Sequence, residues 1–200
     1  MLGGDHSVTL PELRAVAKRF GPVALIHFDS HSDTGDKRFG RKYTHGTPMR
    51  RALEEGIILV ENSIQVGMRG SIYAKDSLDE AREMGFDLLT TNQALDMGLS
   101  AVIQRIQERV GGAKVFLSFD IDFVDPAYAP GTGTPEVGGF TSREALRLVR
   151  GLDGLDIVAY DMVEVLPQYD PSQATALLAA NIVYEFLSLI ALDKKRRSSS

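Results

Sequence analysis

Short, almost uninterrupted apolar runs are the feature that most restricts what this chain can fold into. Val115-Phe-Leu-Ser-Phe119 and Ile157-Val-Ala-Tyr160 place hydrophobic side chains on nearly every residue, as a strand covered on both faces requires. Strands are predicted over Val23–Asp29, Ser63–Arg69, Phe86–Thr91, Lys114–Asp122 and Asp156–Val165. The segments between them follow helical spacing. Leu10, Leu13, Val16, Ala17 and Phe20 recur at i, i+3 and i+4, with Pro11 in the first turn. Pro48–Glu55, Asp76–Met84, Leu99–Val110 and Ser142–Leu152 repeat the pattern, the last opened by a capping box at Thr141 and Glu144. Strands alternating with helices predict an α/β fold built on a parallel sheet.

Composition narrows the chemistry. The 200 residues fit one domain, expected over 1–192, with a disordered basic and serine-rich tail over 193–200. A net charge of -5 argues against a nucleic-acid partner. Ala174–Leu192 approaches the length of a bilayer span, but Asn181 and Glu185 interrupt it and basic residues follow only one end. A core or interface helix is therefore expected, and no membrane partner. With no cysteine there is no disulfide framework, thiolate nucleophile or sulfur-ligated metal, which fits a reducing cytoplasm. Any metal or acid–base chemistry falls to His, Asp and Glu. All four histidines, His6, His27, His31 and His45, lie in the first quarter of the chain.

Ligands of open parallel sheets bind where the strands end, and there the polar residues gather. The motifs are Gly3-Gly-Asp-His6, His27-Phe-Asp29-Ser-His31-Ser-Asp33 and Ser118-Phe-Asp120-Ile-Asp122. Residues two apart in an extended chain share a face, so Asp29, His31 and Asp33 are expected to converge, as are Asp120 and Asp122. Taken singly, Asp-x-Asp after a strand can be a cap and Gly-Gly-Asp-His a turn. Asp-x-His-x-Asp is harder to dismiss, because burying it unpaired costs several kcal/mol per charge. Oxygen and imidazole donors without sulfur suit Mn²⁺ or a similar divalent ion, and their number suffices for two. The Pro- and Gly-rich stretch from Asp125 to Gly139 is expected to wall the same pocket, and Glu164 to present a carboxylate to it.

Together with Ala129-Pro-Gly-Thr-Gly-Thr-Pro-Glu136 and Glu164-Val-Leu-Pro, these motifs resemble the ureohydrolases, the arginase and agmatinase family. Within it, that loop and Tyr43-Thr-His45-Gly-Thr-Pro-Met-Arg-Arg look most like agmatinase and its guanidino-acid relatives. The resemblance runs from Leu2 to about Leu192 and lacks the family's N-terminal part, so the chain reads as N-terminally truncated. It implies a three-layer α/β/α arginase-like fold, two Mn²⁺ ions and a small guanidino substrate, agmatine first. Hydroxide held between the metals would attack the guanidinium carbon, releasing urea and an amine. His6 and Asp33 would bind one manganese, His31 and Asp122 the other, and Asp29 and Asp120 both. Asp33 would also pass a proton to the leaving amine. His45 would serve as an acid–base or shuttle histidine, Glu164 would pair with the guanidinium, and Asp161 would orient a ligand histidine from behind. A homo-oligomer, trimer or hexamer, is implied as well. The alternatives are guanidinobutyrase or another guanidino-acid amidinohydrolase, and an impaired remnant or partner subunit. Losing neighbouring strands is expected to expose the edge of Ile157–Val165, and to leave His6 close to a flexible end.

Overall fold

The computed structural model describes residues 1–71 and 77–198. Five strands, β1 (Ala24–Phe28), β2 (Ile64–Met68), β3 (Asp87–Thr90), β4 (Val115–Asp120) and β5 (Ile157–Val163), form one sheet in the order β3-β2-β1-β4-β5. Every pairing is parallel. Alternation along the strands supplies two apolar faces. On β1, Ala24, Ile26 and Phe28 point to one core, and on β4 Val115, Leu117 and Phe119 do the same. Leu25 and Phe116 point to the other.

Helices α1 (Thr9–Phe20) and α2 (Pro48–Glu54) cover the Leu25 face through Leu10, Leu13, Met49 and Ala52. The Phe28 face packs against α4 (Thr91–Met97), α5 (Leu99–Val110), α6 (Ser142–Arg150) and α7 (Ala174–Ser198). A smaller cluster seats α3 (Ser77–Glu83) by Ala81 against Met68 and Leu88. The result is the expected three-layer α/β/α sandwich. The predicted start of α3 at Asp76 lies outside the described residues.

Several boundaries differ from expectation for local reasons. Residues 91–97 form a helix that the sequence does not announce, because its seven residues hold too few apolar positions to show a period. What defines it is capping: Thr90 accepts from Gln93 N, and Gly98 at φ 80° stops it. The expected capping box of α6 is present, Glu144 N donating to Thr141 Oγ1 at 3.2 Å and Thr141 N to Glu144 Oε2 at 2.8 Å. The disordered tail expected from residue 193 is corrected: α7 continues to Ser198. Arg196 and Arg197 reach back to Asp153 and Asp156 at 2.8 and 2.7 Å, giving the basic end acidic partners on the same molecule. Although α7 is long and apolar enough to cross a membrane, Leu178, Ile182, Phe186 and Leu189 are buried on the core.

The edge of β5 is not bare. Met1–Gly4 runs along it, with Gly3 N donating to Met162 O and Glu164 N to Gly4 O, both at 2.9 Å. This contact corrects the expectation of a loosely tethered His6, which is 1% exposed. It delivers the short 3₁₀ turn His6–Val8 to the carboxyl end of the sheet.

On α1, Glu12 is half-buried near Asp161, and burial followed by that repulsion raises its carboxyl to about 7. Protonation therefore favours the folded form fully below about pH 4.5, and the contribution is lost as pH rises through 7. In metal-free protein, Glu12→Gln is expected to leave stability unchanged at pH 4. At pH 8 it should add on the order of 1 kcal/mol, discounted for solvent screening, and so raise Tm by roughly 2–4 °C. Thermal unfolding at the two pH values checks this, and equal effects at both would refute it.

Candidate metal centre

The face of the sheet that carries Leu25 and Phe116 changes character along each strand. On β1 it reads Leu25, His27, then Asp29 just beyond; on β4 it reads Phe116, Ser118, Asp120. Apolar side chains end where α1 and α2 stop covering them, and charged ones take over.

The carboxylates converge through turns more than through the strand pleat. Asp29 Oδ1 accepts from His31 N at 2.6 Å, and Asp120 Oδ1 accepts from Asp122 N at 2.8 Å. Each Asp-x-His or Asp-x-Asp motif thus folds its second residue back over its first. Asp122 sits in the 3₁₀ turn Ile121–Phe123, and Asp33 takes a left-handed backbone with φ 51°. Behind them, Gly67 of β2 has φ 109°, and a Cβ there would meet Asp29 O at 2.6 Å. No other residue permits that approach.

All six candidate ligands come together in two groups that share Asp29. His6 Nδ1 faces Asp33 Oδ2 at 3.0 Å, Asp29 Oδ2 at 3.1 Å and Asp120 Oδ2 at 3.3 Å. His31 Nδ1 lies 3.0 Å from Asp122 Oδ2 and 3.4 Å from Asp29 Oδ1. Asp29, Asp120, Asp122 and His6 are buried. The partner of His6 Nε2 is Ser118 Oγ at 2.8 Å, and among the described residues Nδ1 has no hydrogen bond. With Nε2–H donated to the serine, the Nδ1 lone pair would point at three carboxylate oxygens, which repels unless a cation lies between them. A buried acceptor facing acceptors is what a metal-ligand set looks like without its metal, so the residues fit divalent ions.

The electrostatics agree. Burial alone would depress the His6 imidazole, but Asp120, Asp29 and Asp33 outweigh it and hold it well above its usual value. Against the same opposition, Asp122 and Asp29 push His31 up to about 12. Burial raises Asp120, and repulsion from Asp122 and Asp29 adds to the rise. Asp122 is raised by burial and by Asp29. Burial also pushes Asp29 up, yet the imidazoles of His27, His31 and His6 around it hold it well below the carboxylate range. The site binds positive charge wherever it can obtain it.

Beside the cluster opens a cavity of about 650 Å³. His31, Asp33 and Asp120 form its floor, and His45, Thr134 and Glu164 line its walls. Thr134 brings the Pro- and Gly-rich stretch to the pocket as expected, and Glu136 of the same loop comes within 3.7 Å of His31 Nε2. Glu164 has φ 63° and accepts from His6 N at 2.6 Å, and burial raises its carboxyl to about 7. His45 belongs to the wall, not to the ligand cluster. Asp161 departs from expectation: it holds Thr9 Oγ1 at 2.7 Å and Phe119 N at 3.2 Å, while Ser118 orients His6.

Sequence reasoning left several contributors without a role. Ser30 donates to Asp122 Oδ1 through N at 3.0 Å and Oγ at 2.7 Å. The Arg69 guanidinium gathers the carbonyl oxygens of Asp122, Phe123 and Glu136, stitching the β4 turn to the Pro- and Gly-rich loop. His27 and Gln65 lie beneath the carboxylates. Strand periodicity was the available signal for His27 and Ser118, each two residues before an aspartate; Arg69 carried none.

Comparison with known proteins places this geometry. Residues 1–188 match the model of the arginase family. The guanidinopropionase of Pseudomonas aeruginosa is 48% identical over 98% of this chain and 61% of its own length. The mitochondrial agmatinase of Gallus gallus is 46% identical over 94% of this chain and 56% of its own. The proclavaminate amidino hydrolase of Streptomyces clavuligerus superimposes with a TM-score of 0.92 at 45% identity, over 96% of this chain and 64% of that one. The chain therefore spans about three fifths of the length of the curated relatives it matches. Family model, relatives and fold agree, and the chain belongs to the arginase family.

Proposed function

We propose that this chain carries the hydrolytic centre of an enzyme that cleaves a linear guanidino compound to urea and an amine, using two Mn²⁺ ions. The observation that carries the reading is the His6 Nδ1 atom turned toward three carboxylates, two of which, Asp33 and Asp120, line a cavity that Glu164 also lines. His6 and Asp33 would hold one ion and His31 and Asp122 the other, with Asp29 and Asp120 shared between them; Asp29 lies against both histidines and Asp120 against His6. Bound there, the pair supplies a strong nucleophile from water at neutral pH.

The chain's own residues supply the rest. A guanidinium is planar, cationic and a poor electrophile, so it must be held in place. Glu164 accepts it as a carboxylate beside the cluster. The leaving amine needs a proton, which Asp33 is placed to hold, with His45 on the wall to relay protons to solvent. Agmatine is the substrate the motifs favour. Relatives named for guanidinobutyrate and guanidinopropionate support guanidino acids as the neighbouring class.

Three outcomes follow. Mn²⁺ at a hundred times its dissociation constant should stabilise the protein by about 2.7 kcal/mol for each ion bound, or roughly 5–10 °C in Tm per ion. A chelator should reverse the shift and Asp29→Ala abolish it; an unchanged melting curve counts against a metal centre. Urea should be released from agmatine or a guanidino acid by metal-loaded protein, and Asp120→Ala should stop turnover. No urea from any of them, or full activity in that variant, refutes the assignment. Glu164→Gln should lower kcat/KM on the order of 100-fold, about 2.7 kcal/mol, mainly through KM, while leaving manganese content unchanged. Steady-state kinetics with metal analysis checks this, and an unaltered KM would remove Glu164 from substrate binding.

A further inference from the structure

One rung below the carboxylates, the sheet carries a polar row that packing does not require. Strand register pairs Gln65 with His27, His27 with Ser118, and Ser118 with Asp161 across β2, β1, β4 and β5. All four are 0% exposed. Ser118 orients His6, and Asp161 ties α1 and the β4 backbone. His27 and Gln65 have no part in the chemistry proposed above.

Distance alone makes His27 a possible ligand. His27, His6 and Asp29 form a group whose donor atoms lie within 4.8 Å of one another. Counting protons decides otherwise. Ser32 O can only accept, so the Gln65 atom 2.6 Å from it is the amide nitrogen. The same nitrogen lies 3.0 Å from His27 Nδ1. It faces that atom as a donor, so Nδ1 accepts with its lone pair. The ring proton is then on Nε2, which sits 2.8 Å from Asp29 Oδ2. A ring nitrogen that keeps its proton cannot coordinate a cation. Gln65 Oε1 remains buried without a partner among the described residues, so the amide is held in this orientation at the cost of an unsatisfied acceptor.

We propose that His27 is a positioning residue, an Nε2–H donor that clamps Asp29 Oδ2, and that Gln65 holds the ring in place by donating to its Nδ1. Oδ1 of Asp29 is already held by His31 N. The clamp fixes the second oxygen, so the carboxylate that both ligand groups share has one orientation before any ion arrives. The inference rests on the metal-centre reading and adds to it what keeps the shared ligand in place.

The test uses the whole chain, stripped of metal and titrated with Mn²⁺ by calorimetry, alongside tautomer detection by long-range ¹H–¹⁵N NMR on the metal-free protein. The wild type should show His27 protonated at Nε2. His27→Phe should weaken manganese binding by about 10–100-fold, the range for losing a partner that orients a ligand. His27→Gln, which can still extend an N–H toward Asp29, should recover affinity to within about fivefold of wild type. Gln65→Leu, which removes the donor at Nδ1, should loosen the ring and weaken binding, though less than His27→Phe; wild-type affinity in it removes Gln65 from the clamp.

An Nδ1–H wild-type ring overturns the proposal, as does wild-type affinity in His27→Phe. A loss in His27→Gln as deep as in the Phe variant overturns it too, because an N–H donor toward Asp29 should restore the clamp. Should the Phe variant fail to fold, the Gln variant and the wild-type tautomer still decide. Absence of manganese binding by the folded wild type falls instead on the metal-centre reading.

Discussion

Like charges at the carboxyl end of this sheet crowd so closely that the rest of the structure must be understood around them. Asp29, Asp33 and Asp120 each place an oxygen within 3.3 Å of one His6 nitrogen, and Asp122 adds another carboxylate 3.0 Å from His31. Three of these acids are buried, where an uncompensated charge costs several kcal/mol. Two imidazoles cannot balance them all. Cations between them would relieve the repulsion, and the donors, oxygen and nitrogen without sulfur, suit divalent ions.

The fold supports that crowding by grading one face of the sheet. Near the start of β1 and β4 the face is apolar, with Leu25 and Phe116 under α1 and α2. One rung further it carries His27, Ser118, Gln65 and Asp161, which meet their hydrogen-bond needs largely from one another and from nearby backbone. The clustered acids follow at the strand ends, on turns closed by their own carboxylates. The opposite face stays apolar, with Phe28, Phe119 and Phe123 packed mostly edge to face and Phe140 stacked on Phe123. A rigid aromatic floor and a bonded polar rung together hold ligands that would otherwise repel one another apart.

The layers and the ligand cluster were legible in the sequence because both are written in short-range patterns. Continuous apolar runs mark β4 and β5, and Asp-x-His-x-Asp beside a strand has little use except holding positive charge. Other features depended on contacts between distant segments. Met1–Gly4 shields β5 only because its backbone finds Met162 and Glu164 in space. The end of α7 is ordered by Asp153 and Asp156, some forty residues earlier, so composition alone read it as frayed. Asp161 pairs with Thr9, not with a histidine, a choice made by the packing of α1 on β5. Helix α4 rests on a capping box and a terminal glycine, too brief for periodicity to reveal.

The account stands or falls on two cations sharing Asp29. Crystals soaked in Mn²⁺ and measured by anomalous diffraction at the manganese edge locate the ions directly. Two peaks are predicted, about 3.5–4 Å apart, one against His6 and Asp33 and one against His31 and Asp122, with Asp29 touching both. A single peak, or manganese bound away from Asp29, would contradict it.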